Sequence, residues 1–185
     1  PDVLMCRGEY LFTPEWPFVP GQEAVGVVDE VGQGSAHTLG QRLMGVTSFY
    51  NGHGSFAPYC LAPDFSLYPA PPEMTDAQAA GFTIPFHTAW VALRLRAQLQ
   101  SGETLLVHGG AGGSGCAAIR LGKALGATVI ATAGGSDKAA FCLAAGADLA
   151  INHSQEDFVD AVNAATEGAG ADVVFDPVGG EIYER

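Results

Sequence analysis

Apolar and polar positions along the chain form two textures that meet near residue 73. Before it, short apolar runs are broken every few residues by Gly, Pro or Asn. Residues 24–31 are Val-rich, 42–46 form a brief run, and 55–61 mix aromatic with small side chains. This punctuation predicts a compact, mostly β unit over residues 1–73. Beyond it, Thr75 and Gln78 stand at the head of an Ala-rich segment with the spacing of a capping box. They predict helix in two pieces around Pro85, ending near Gln100. From Leu105 the pattern alternates. Apolar runs at 105–108, 128–132, 149–151 and 172–175 predict short strands, and the stretches 113–125, 137–145 and 155–166 predict the helices that join them. Strands linked by such helices imply right-handed crossovers and a parallel sheet, so residues 74–185 are expected to be α/β.

Composition narrows the classes of function. The chain has 185 residues, 48% of them hydrophobic, with 20 acidic against 8 basic side chains and a net charge of −12. Such a balance repels a phosphate backbone, which argues against nucleic acid as partner. No apolar run approaches the roughly 18 to 20 residues of a bilayer helix, and a soluble, cytoplasmic protein is expected. Cys6, Cys60, Cys116 and Cys142 show no CxxC spacing and are expected to be free, buried thiols. His37, His53, His87, His108 and His153 are scattered and are expected to be structural rather than metal ligands.

The chemistry concentrates after the strand at 105–108. Gly110, Ala111, Gly112, Gly113, Ser114 and Gly115 satisfy GxGxxG between a predicted strand and a predicted helix. Residues without Cβ let the backbone approach a pyrophosphate, while the helix aims its free N–H groups and positive dipole end at the anion. Dinucleotide binding follows. Folds that select NAD place a carboxylate about 20 residues on, at the end of the second strand, for the ribose 2′-OH. Here that strand runs into Ala133 and Gly134, with Ser136 and Lys138 shortly after. A small polar turn with a nearby ammonium suits a 2′-phosphate and predicts NADPH. The same residues also read as an ordinary helix cap, Ser136, and a solvent-facing lysine.

Residues 102–123, GETLLVHGGAGGSGCAAIRLGK, resemble the signature of the zinc-independent quinone oxidoreductases, the zeta-crystallin-like branch of the medium-chain dehydrogenase/reductases. Arg120 stands where that signature has Gln. The opening residues Asp2, Arg7, Gly8 and Tyr10, then Pro20 to Glu23, Thr88-Ala89-Trp90, and Asp176 to Gly180 sit in the family's order. The resemblance implies a GroES-like β domain followed by a Rossmann domain, with the cofactor in the cleft between them. It also implies an internal fragment, with both domains partial and inactive in isolation, and a homo-oligomer as the full-length parent. Asn152 and His153 fall where the family has Asn-Tyr at the 2′-phosphate, and an imidazole can donate a hydrogen bond there, more strongly when protonated. Val178, within the matching run from Asp176 to Gly180, is expected among the cofactor-binding residues.

Zinc-containing relatives carry a His where this chain has Gln22, and an amide is a poor zinc ligand beside imidazole or thiolate. No metal is expected. The polarity for reduction then comes from the substrate, a quinone or an enone, whose conjugated system spreads the charge left by an added hydride. The resemblance puts Tyr10 near the nicotinamide, as a donor to the reacting carbonyl, and Thr88 against the cofactor. Tyr10 reads equally as an anchor for the loop at 7–14. Two alternatives stay open: an enoyl reductase on thioester or lipid-like enones, and a catalytically silent crystallin-like or binding protein that retains the NADPH fold.

Overall fold

The computed structural model describes residues 1–185, and its chain divides into two compact units, Pro1–Ile84 and Pro85–Arg185. The first opens with a short helix, α1 (Asp2–Cys6), that the β-rich texture of the segment does not announce. Its Asp2 accepts a hydrogen bond from the Gly21 N–H at 2.9 Å. Three antiparallel strands follow, β1 (Glu23–Val27), β2 (Arg42–Val46) and β3 (Leu67–Pro69), with β2 central. Met44, Ala70 and Ala79 form their core, with Val25, Met74 and Phe82 packed on it. The expected strand at 55–61 is not formed. Ser55 and Phe56 donate their N–H groups to Gly21 O and Pro20 O instead, and the Ser55 hydroxyl bonds Glu23 O at 2.6 Å, so this stretch braces a loop.

The capping box forms as its spacing predicts. Thr75 Oγ1 accepts from the Gln78 N–H, Gln78 Oε1 accepts from the Thr75 N–H, and α2 (Asp76–Ala80) begins there. The break between the helical pieces lies at residues 81–82 rather than at Pro85. Pro85 falls in the first turn of α3 (Thr83–Trp90), where a missing N–H costs nothing. The helix continues as a π-turn, Val91–Arg96, and ends well before Gln100.

The second unit is a four-stranded parallel sheet in the order β6-β5-β4-β7. Its strands are β4 (Thr104–Val107), β5 (Thr128–Ala133), β6 (Leu149–Asn152) and β7 (Val173–Phe175), joined by α4 (Gly113–Ala124), α5 (Ser136–Ala145) and α6 (Phe158–Ala165). Leu105, Val107, Val129 and Ala131 pack with Ala117, Ala118, Ile119 and Cys142 in one core cluster. Leu106, Ile130 and Ile151 pack with Phe158 and Val162 in another. Each central strand therefore buries side chains on both faces, as its continuous apolar run requires. α6 starts later than its pattern suggests because Asp157 caps it, accepting from the Val159 and Asp160 N–H groups. The thiols depart from expectation: all four are free, but only Cys142 is buried, while Cys6 and Cys60 are exposed. No helix is long and apolar enough to cross a membrane.

Candidate functional site

The C-terminal ends of β4, β5, β6 and β7 lie side by side in a parallel sheet, the edge at which open α/β sheets receive ligands. The loop after β4 leads from that edge into α4. Gly110 N–H bonds Thr132 O at 2.9 Å, which ties the loop to the end of β5. Its glycines do different work. A Cβ on Gly115 would overlap Gly109 O and come within 2.8 Å of Gly110 Cα, and one on Gly110 would lie 2.8 Å from Cys142 Sγ. These two glycines let the loop pack against itself and the sheet. A Cβ on Gly112 would meet only Gly109 O, at 3.3 Å, and one on Gly113 only Pro85 Cγ, at 3.8 Å. That face of the loop is open. Gly112 is the N-cap residue of α4 and offers no side-chain cap, so the first N–H groups of the helix and its positive dipole end face this open side.

The loop after β7 meets this one. Asp176 Oδ1 accepts from the N–H groups of Val178 (2.8 Å) and Gly179 (3.0 Å), and Val178 Cγ2 lies 3.2 Å from where Gly109 would carry a Cβ. These backbone donors and, to a smaller degree, the nearby His108 hold the Asp176 carboxyl below its ordinary range, although burial opposes them. Directly after β4 comes a buried histidine, one of the five expected to be structural, with a partner on β5. His108, 2% exposed, is 3.0 Å from Thr132 Oγ1 through Nδ1, and its ring meets Phe158 edge-on at 4.9 Å. Burial pushes its imidazole below the usual histidine range; the Asp176 charge works against this and His153 works with it.

At the other end of the edge, β5 runs into Gly134 and Gly135, and Gly135 has φ +104. Ser136 is the first residue of α5 and Gly135 its cap, so Ser136 is not the N-cap. Lys138 is exposed and makes no ion pair, and the exposed Asp137 shares its turn. His153 Cε1 and Nε2 lie 3.4 Å from where Gly134 would carry a Cβ. Asn152, 8% exposed, turns its side chain inward: Oδ1 accepts from Gly135 N–H (2.9 Å) and Ser154 N–H (3.2 Å), and Nδ2 donates to Gln155 Oε1 (2.9 Å).

The structure thus brings Val178 beside Gly109, at the start of the loop that carries Gly110 to Gly115, and Gly134 together with Asn152 and His153. Thr88 lies on α3, exposed. Tyr10 belongs to the first unit, where its ring packs edge-on against Phe12 at 5.6 Å and Phe12 stacks on Tyr50 at 4.8 Å. The ring packs on its own loop, and the hydroxyl makes no hydrogen bond. Gln22 is 6% exposed, and its Nε2 has no hydrogen-bond partner. Glu23 is a further residue the sequence did not single out. Its Oε2 accepts from the Ile84 N–H at 2.9 Å, linking β1 to the start of α3, and burial raises its pKa against that bond, with Asp2 adding to the rise.

Residues 1–72 match the alcohol dehydrogenase GroES-like domain and residues 113–185 the family described as zinc-binding dehydrogenase. The chain is 36% identical over 186 residues to a quinone oxidoreductase-like protein 2 homolog of Nematostella vectensis, covering 100% of this chain and 50% of that protein. A probable oxidoreductase from Mycobacterium abscessus superposes with a TM-score of 0.87 at 41% identity, covering 97% of this chain and 56% of the other. The quinone oxidoreductase of Thermus thermophilus, whose structure was also determined in complex with NADPH, superposes with a TM-score of 0.79 at 33% identity, covering 99% and 55%. The chain spans about half the length of the relatives it matches.

Proposed function

Because the chain belongs to the medium-chain dehydrogenase/reductase superfamily, in its quinone oxidoreductase-like branch, we propose that it is part of an NADPH-dependent oxidoreductase acting on quinones or related α,β-unsaturated carbonyls. The observation that carries this reading is the open face of the glycine loop. Its Gly112 position leaves room for a pyrophosphate in front of uncapped helix N–H groups. The likeness to the Thermus enzyme, solved with NADPH, supports the choice of cofactor.

When bound, the reduced nicotinamide supplies a hydride, and the chain's own residues position it. Gly113, Ser114 and Gly115 would hold the pyrophosphate through backbone N–H groups and Gly112, whose own N–H bonds Gly109 O, would leave it room, while Gly110, Ala111 and Gly115 shape the turn. Gly134, Ser136, Lys138 and His153 receive the 2′-phosphate, and Val178, fixed by Asp176, lies against the glycine loop on the side away from them. The Tyr10 hydroxyl, without an internal partner, donates to the reacting carbonyl, and Thr88 faces the cofactor. Gln22 supplies no metal ligand, so a conjugated acceptor carries the developing charge into its own π-system.

The test is NADPH binding and oxidation by the full-length protein against a panel of quinones, simple enones and thioester enones. Turnover on quinones or simple enones is the expected result. Turnover confined to thioester enones would make the protein an enoyl reductase. NADPH binding without turnover on any acceptor would make it a binding protein, and no binding would overturn the reading.

A further inference from the structure

We infer that Asn152 sets the preference for NADPH over NADH as a positioning residue, by locking the Gly134-Gly135 turn to the turn that carries His153; the inference rests on the cofactor reading above. The residue looks from its place in the chain like a cofactor ligand, yet its amide is used elsewhere. Oδ1 accepts two backbone N–H groups, Gly135 from the turn after β5 and Ser154 from the turn after β6. Two bonds saturate a carbonyl oxygen. Nδ2 is directed to Gln155, and this bond fixes which way the amide faces.

The two turns need such a lock. Gly135 has φ +104, a conformation open to glycine and costly for other residues, and nothing lies within 4 Å of its outer side. Gly135 O is held by the Ala139 N–H at 3.0 Å, so without the bond from below it is the Gly134–Gly135 peptide, on the N–H side, that is free to swing. The imidazole of His153 faces Gly134, 3.4 Å from where a Cβ would stand, only while both turns keep their spacing. The other link close by is the ladder bond from His153 N–H to Ala133 O, at 3.2 Å. A 2′-phosphate is the group that would feel a change of spacing. Its donors come from both turns: Ser136 and Lys138 from one, His153 from the other. A 2′-hydroxyl, with no carboxylate at the end of β5 to bind it, would feel little.

Adenosine 2′,5′-bisphosphate and adenosine 5′-monophosphate isolate this end of the cofactor, and calorimetry on the full-length protein reads their binding without turnover. Asn152→Ala should weaken the bisphosphate about tenfold and the monophosphate less than about twofold, the loss of two hydrogen bonds felt only through the phosphate. The Gly135 and Ser154 amides should exchange faster with deuterium. Gln155→Ala keeps Asn152 but frees its amide to turn, and should shift the same ratio by about threefold. This exposed position decides the matter if Asn152→Ala does not fold. Equal weakening of both nucleotides would show an ordinary folding role and overturn the inference, as would a wild-type preference that both variants retain. A wild type that binds the two nucleotides equally would overturn the NADPH reading and this inference with it.

Discussion

Replacing Gly112 by Val and Gly115 by Ala separates the two kinds of glycine in the loop. At Gly112 the backbone has φ −80 and ψ 168, an extended conformation open to valine, and a Cβ would meet only Gly109 O, at a tight 3.3 Å that a small shift of the loop must relieve. The cost to the fold is the poorer cap, about 1 kcal/mol, or roughly 2–4 °C in Tm for a chain of this size. The isopropyl group, however, would stand in front of the N–H groups at 113–115. Losing two charge-assisted hydrogen bonds of about 1.5 kcal/mol or more each would weaken NADPH by over about a hundredfold. Gly115→Ala does the opposite. Its Cβ would press on backbone atoms of Gly109 and Gly110, which no rotamer relieves. Overpacking of this kind costs about 3 kcal/mol, and the better helix propensity of Ala returns about 1. The net loss of about 2 kcal/mol lowers Tm by roughly 4–8 °C. Thermal melts and nicotinamide fluorescence on the full-length protein read the two effects. An unchanged NADPH Kd in Gly112→Val would remove the pyrophosphate from this loop, and an unchanged Tm in Gly115→Ala would refute the packing argument.

Lys138→Ala should weaken NADPH about tenfold more than NADH, near the low end for a charged hydrogen bond because the ammonium is exposed; equal losses would make Lys138 a surface residue. Burial disfavours the charged form of His108, so its stabilising contribution is fully present above the unfolded pKa of about 6.5 and is lost as pH falls below it. Wild-type Tm should therefore fall more between pH 7.5 and 5.5 than that of His108→Asn, and parallel profiles would count against the assignment. Asp148 binds Lys123 at 2.8 Å and the Val129 N–H at 2.7 Å, so Asp148→Ala should cost about 1 kcal/mol, or roughly 2–4 °C, with no effect on cofactor binding. Because Gln22 replaces an imidazole ligand, the purified protein should hold well under one zinc per chain and keep its turnover in chelator; stoichiometric zinc essential for activity would refute this.

The parallel sheet was legible because every central strand advertises itself locally. Leu105, Leu106 and Val107 form an uninterrupted apolar run, and the run is uninterrupted because neighbours cover both faces. The first unit was harder to read. Its third strand, Leu67–Pro69, pairs only with β2, and a proline is tolerated at such an edge, whereas in the sequence the prolines around it read as loop. The aromatic run at 55–61 has strand-like composition, yet its backbone donors are taken by Pro20 and Gly21 in a loop far upstream. Pro85 likewise reads as a helix breaker until the helix is seen to begin just before it.

The same contrast governs the site. The glycine loop is readable because sharp turning, close packing and an open face are all met by omitting a Cβ within six consecutive residues. The bonds that Asn152 and Glu23 make carry no such mark. Each holds a backbone N–H distant in sequence, Gly135 for one and Ile84 for the other, and only the folded chain brings donor and acceptor together. A polar residue beside a cofactor motif is therefore ambiguous until its hydrogen bonds are counted. On the proposed reading His153, whose ring lies exposed near Gly134, would meet the ligand, and Asn152, whose carbonyl is saturated by backbone, would hold the turns at which it is met.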